Sequence, residues 1–107
     1  MKRSEKRIGA RRQGDVLLIP IDSIPEGANK KMDGIVAYGE VTGHCHQFLD
    51  MNAAAVYTVG SEQYVDIVEP AILNHEEHAP QTIPKGKYHV LIKRELDLVN
   101  AIHQVRD

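Results

Sequence analysis

Short β-branched apolar runs, each closed by glycine or proline, recur along this chain and confine it to β architecture. Val16-Leu17-Leu18-Ile19-Pro20-Ile21 is an apolar run ended by proline, the pattern of a buried strand. Asp22 to Gly34 carries Pro25, two glycines and Asn29, and reads as a long loop. Ile35 to Phe48 is an extended segment with a break at Gly39 or Gly43. Met51 to Val59 is ambiguous: Ala53-Ala54-Ala55 suits a helix, Val56-Tyr57-Thr58-Val59 a strand. Gly60-Ser61 marks a turn, and Tyr64 to Leu73 reads as a strand interrupted near Pro70. Asn74 to Gly86 holds two prolines and reads as a charged loop. Lys87 to Leu96 alternates, with Tyr88, Val90 and Ile92 on one face. In the tail, Leu98, Ile102 and Val105 have the spacing of one short C-terminal helix, although a last strand also fits. The fold class is therefore all-β, a small sandwich or barrel.

Composition narrows this further. The 107 residues suffice for one modest core. Phe48, Tyr38, Tyr57, Tyr64 and Tyr88 are the aromatic residues and there is no Trp, so Val, Ile, Leu and Ala must build that core. The single cysteine, Cys45, excludes an internal disulfide framework and a four-cysteine zinc site. Its place opposite the His44/His46 face makes it an inert apolar residue, unless a break at Gly43 turns it inward as a soft ligand or nucleophile. No apolar run approaches the roughly 20 residues of a membrane helix, so no membrane partner is expected. The expected setting is cytoplasmic, or a virion if the chain is phage-encoded.

Charge divides the chain. Residues 1–12 hold Lys2, Arg3, Lys6, Arg7, Arg11 and Arg12 against Glu5 alone, whereas the remainder is acidic. With Ile8 the only large apolar residue among them after Met1, residues 1–13 read as a flexible, disordered basic arm, and 14–107 as a single β domain. Such an arm suits non-specific phosphate contact with nucleic acid, contact with a neighbouring subunit, or plain solvation. No aromatic residue interleaves with its charges, so base stacking is not indicated.

Chemistry concentrates in the histidines. Four of six form two tight pairs, His44-Cys45-His46 and His75-Glu76-Glu77-His78. On a strand His44 and His46 share one face with Thr42, Glu40 and Phe48. His75 and His78, three apart in a loop, can also converge. Together the pairs supply three or four nitrogen ligands for a divalent transition metal such as zinc, nickel, iron or manganese. Glu76 or Glu77 is then the candidate catalytic general base for a metal-bound water. Each pair taken alone reads as a solvated polar surface, and a crowded cluster without metal reads as a proton-linked device.

The stretches Gln13-Gly14-Asp15-Val16-Leu17-Leu18-Ile19-Pro20, Gly39-Glu40-Val41-Thr42-Gly43-His44-Cys45-His46, His75-Glu76-Glu77-His78-Ala79-Pro80 and Gly86-Lys87-Tyr88 resemble a set of short, uncharacterised bacterial and phage proteins. That resemblance spans most of residues 13–107 and implies no activity. A second one is to cupins, on Gly39, His44, His46 and Gly60 and on Pro84-Lys85-Gly86-Lys87-Tyr88-His89. It implies a cupin-like barrel with His44, His46 and His89 as metal ligands. The sequence departs from the cupin pattern in lacking the fourth ligand, a glutamate, and the later asparagine. His75 and His78 are therefore preferred to His89, and His89 and His103 read as structural or exposed.

Two functions follow from different classes. One is a small histidine-rich metal-binding β protein, either a structural or regulatory site or a metal-dependent enzyme. The other is a phage-related structural or assembly protein, a homo-oligomer whose arm contacts neighbouring subunits or nucleic acid. Whether the chain is an enzyme at all, and on what substrate, is not written in these motifs.

Overall fold

The computed structural model describes residues 9–38 and 44–92. Ten strands form among them: β1 (Arg11–Gln13), β2 (Val16–Ile21), β3 (Asn29–Lys30), β4 (Ile35–Tyr38), β5 (Cys45–Phe48), β6 (Ala54–Val59), β7 (Glu62–Ile67), β8 (Ala71–Asn74), β9 (Gln81–Ile83) and β10 (Gly86–Ile92). No helix occurs among the described residues, and the C-terminal segment expected to hold one lies outside them. All pairings are antiparallel. Six strands make one sheet in the order β1-β2-β10-β7-β6-β3, and four make another in the order β4-β5-β8-β9. The sheets keep separate edges, so the architecture is a two-sheet β fold and not a closed barrel.

Alternation places the core between the sheets. From the larger sheet come Val16, Leu18, Val56, Val65, Ile67, Tyr88 and Val90, and from the smaller Val36, Phe48, Ala71, Leu73 and Ile83, all buried. Tyr88 is fully covered, and its hydroxyl donates to Pro84 O at 2.8 Å, so the phenol enters the core with its polar end satisfied. The ambiguous Met51–Val59 segment resolves by its polar start. Asp50 O accepts from the N–H groups of Ala53 and Ala54 (both 3.1 Å) and Asp50 Oδ1 from that of Asn52 (3.0 Å), making a turn that delivers Ala54 into β6. The hairpin from β6 to β7 turns at Gly60, whose φ of 58° is the left-handed conformation expected of that position.

Three expectations change. The strand at Val16 runs through Pro20 to Ile21, because β1 reaches only to Leu18 and leaves one side of β2 unpaired at the proline. Both expected loops contain a short strand: β3 within Asp22–Gly34, paired with β6, and β9, three residues held between Pro80 and Pro84, in the loop from Asn74. The boundary drawn at residue 14 falls inside a hairpin. Arg11, Arg12 and Gln13 pair with Leu18, Leu17 and Val16, and Gln13 is only 2% exposed. Strand β1 also spans the seam between the sheets, since Gln81 Nε2 on β9 donates to Arg12 O. Residues 1–8 of the basic arm, with Lys2, Arg3, Lys6 and Arg7, lie outside the described residues.

Candidate metal centre

The register of β5 against β8 assembles the centre. Gln47 pairs with Asn74 and Phe48 with Leu73, so continuing the ladder by one residue sets His75 opposite His46. Alternation turns His46 and Phe48 inward and Cys45 and Gln47 to the other face. The rings of His46 and His75 lie 4.3 Å apart between centroids, tilted by 37°. His78 closes back from the β8–β9 loop, 4.7 Å from His75 and 5.8 Å from His46, nearly parallel to the latter. His44 stands at the rim, edge-on to His75 at 5.9 Å. Both histidine pairs thus meet in one cluster.

Hydrogen bonds assign the protons. Gln13 Nε2 donates to Leu73 O (2.8 Å) and Ala79 O (3.0 Å), which fixes its amide and leaves Oε1 to face His46 Nδ1 at 2.8 Å. An amide oxygen only accepts, so Nδ1 of His46 carries the proton and Nε2 keeps its lone pair. Burial holds this ring neutral, pushing its pKa down to about 4. The neighbouring His75 and His78 add to that effect, and Asp15 opposes it. His75 has the other tautomer. Its Nδ1 accepts from the backbone N–H groups of Glu77 (3.0 Å) and His78 (3.3 Å), so in the neutral ring Nε2 bears the proton.

The β1–β2 turn is the part of the centre that local motifs do not reveal. Asp15 Oδ1 lies 3.5 Å from His46 Nε2. At Gly14, with φ 58°, a β-carbon would stand 2.6 Å from His78 Nε2, so the His78 ring fills the space a side chain would take. A Gly-Asp turn just before an apolar strand is the sequence signal for such a hairpin, and it implies a strand on its N-terminal side as well.

The expected catalytic carboxylates have other partners. Glu76 Oε1 accepts from Cys45 N–H at 3.0 Å and ties the loop to β5. That bond, with one from its own backbone and the nearby His44 and His75, lowers the Glu76 pKa, away from the range of an efficient base at neutral pH. Glu77 Oε2 lies 3.4 Å from His44 Nδ1, an atom shielded from water and without a hydrogen bond. Cys45 is half-buried, not in the apolar core, and its thiol pKa is raised by burial and by Glu76 and Asp33. His89, the ligand implied by the cupin resemblance, sits on β10 and bonds Glu62 at 2.7 Å while stacking on Tyr64. Arg11 is exposed on β1, and Arg12 Nε donates to Gly14 O at 2.8 Å.

Imidazole nitrogen and carboxylate oxygen are the donors that zinc, iron, manganese and nickel accept. Among the described residues, no three His, Cys, Asp or Glu side chains already stand in a ready-made coordination set. An ion would therefore have to draw the rings together by side-chain rotation.

Comparison with curated proteins and with solved structures finds no match. One family profile does match, over residues 12–93, a span that runs from β1 to just past β10 and contains the whole histidine cluster. The chain belongs to the family described as domain of unknown function DUF8820.

Proposed function

We propose that this chain is a small metal-binding β protein holding a divalent transition ion at the cluster of His44, His46, His75 and His78. The observation that carries this reading is His46: a buried, neutral imidazole with a lone pair on Nε2, packed among two further imidazoles. Burying a polar ring that deeply is costly unless both nitrogens have partners. Gln13 supplies the partner of Nδ1; Asp15 Oδ1 lies 3.5 Å from Nε2, and a metal ion is the further occupant proposed at that nitrogen. Ring nitrogens whose second atom is fixed by an amide or carbonyl are the usual form of a metal-ligating histidine.

Metal analysis by plasma mass spectrometry tests this on the full chain, after chelation and reloading with zinc, nickel, iron(II) or manganese. Near-stoichiometric uptake is expected, with His46→Ala and His78→Ala reducing it sharply and His89→Ala leaving it intact. Failure of the wild-type chain to take up any of these ions overturns the reading.

A further inference from the structure

We propose that a cleft at the open end of the core, beside β4, is the seat of the chain's own residues 93–107, filled by Leu98, Ile102 and Val105. Nothing in this seat requires the metal centre proposed above.

The inward-facing rows of both sheets run up to the cleft. Tyr88, Val90 and Ile92 follow one another on the inner face of β10, Ile67, Val65 and Gln63 on that of β7, and Val36 faces them from β4. Beyond Val90 and Val36 a cleft of about 410 Å³ opens between the sheets, its lining including Lys31, Ile35, Val36, Ala37, Gln63 and Ile92. Both polar side chains are turned to the edge strand: Lys31 Nζ donates to Ile35 O (2.6 Å) and Gln63 Nε2 to Val36 O (2.7 Å). What the cleft offers an occupant is therefore the aliphatic surface of Ile35, Ala37 and Ile92. Such surface favours an apolar partner over water.

Ile92 lines the cleft and is also the residue from which 93–107 continue, so β10 itself delivers the segment there. In that segment Leu98, Ile102 and Val105 recur at the four- and three-residue steps of one helix face, with Leu96 and Val99 beside them. A stripe on so short a segment does not hold a helix together in water, and needs an apolar surface to lie on. The tether makes the encounter intramolecular, at an effective concentration that is roughly millimolar for a short linker, which favours this segment over a separate chain. Residues 39–43 follow Tyr38 at the same cleft, but they bring one large apolar side chain, Val41, and are tied at both ends. Ala37 pairs with His46 across β4 and β5, so a segment seated against Ala37 braces the strand next to the histidine cluster.

Methyl NMR on the full chain tests this. Nuclear Overhauser contacts from the methyls of Leu98 and Ile102 to those of Ile92, Val36 and Ala37 are expected. A sample mixing two differently labelled copies separates contacts within a chain from contacts between chains. Contacts only between chains would mean a second copy as occupant and overturn the proposal. Contacts from Val41 in place of Leu98 and Ile102, or no contact from either segment, overturn it as well. The double substitution Leu98→Asp and Ile102→Asp should abolish the contacts and shift the Ile92 methyl resonance, leaving that of Ile67, at the far end of β7, in place. An Ile92 resonance that does not move counts against the seat. Should the double variant fail to fold, the contacts in the wild-type chain decide alone.

Discussion

At Gly14 one missing methyl group decides whether the His78 ring can reach the turn. The residue is in the left-handed region, and a β-carbon would meet His78 Nε2 at 2.6 Å. Gly14→Ala therefore adds backbone strain to a steric conflict, and it should destabilise the fold by about 1–3 kcal/mol. The displaced ring should also bind metal more weakly. Urea unfolding and metal uptake check the two effects, and a variant equal to wild type in both would mean that His78 does not need this seat. Gly60 is the informative contrast: it has the same φ, yet nothing lies within 4 Å of its absent β-carbon. Gly60→Ala should pay only the backbone cost and leave metal uptake alone.

At the scale of elements, β1 matters beyond its three residues. It is an edge strand of the larger sheet, and through Gln13 and Arg12 it touches Leu73, Ala79 and Gln81 on the side of the smaller one. Removing residues 1–10 spares every described contact of this strand and should leave the thermal midpoint close to that of the full chain. Removing residues 1–13 takes Gln13 away from a buried imidazole, which then has an unsatisfied Nδ1–H. Loss of such a buried partner costs roughly 1–3 kcal/mol, read as a lowered midpoint. Identical midpoints for the two truncations would show that β1 is dispensable.

These elements also show what a sequence can tell. Strands β2, β4, β7, β8 and β10 were legible, within a residue or two of their starts, because apolar alternation runs between turn residues. The histidine pairs were legible because each is local, two or three residues apart. Strands β1, β3 and β9 were not, since Arg11-Arg12-Gln13, Asn29-Lys30 and Gln81-Thr82-Ile83 are too short and too polar to show a period. Nor was the tie from Gln13 to the cluster, because it joins residues 33, 60 and 66 positions apart, and no periodicity records a contact of that range.

For the whole molecule, the neutral buried His46 makes stability depend on proton uptake. Its pKa is about 4 in the fold, against 6.5 for an exposed ring, so the unfolded chain binds the proton more readily. The contribution of this group is therefore complete above pH 6.5 and is lost as the pH falls towards 4, by roughly 3 kcal/mol at most. Urea titrations of metal-free protein at pH 7.5 and 4.5 should show that loss. His46→Asn, whose amide can keep the bond to Gln13 but does not titrate, should flatten the dependence. An unchanged slope in the variant would assign the acid sensitivity to other groups.

Strand β10 carries a consequence for synthesis. In the larger sheet it lies between β2 and β7, pairing with both, although it is the last strand in the order of the chain among the described residues. On the ribosome, β1 and β2 emerge early and must wait for Gly86–Ile92 before β2 gains its second neighbour. Until then the β1–β2 hairpin has no strand joining it to β6 and β7 in that sheet, and Tyr88 and Val90 are missing from the core. Completion of this sheet thus waits until Gly86–Ile92 has been made, and a nascent chain released before residue 86 carries exposed strand edges of the kind that chaperones bind and that drive aggregation.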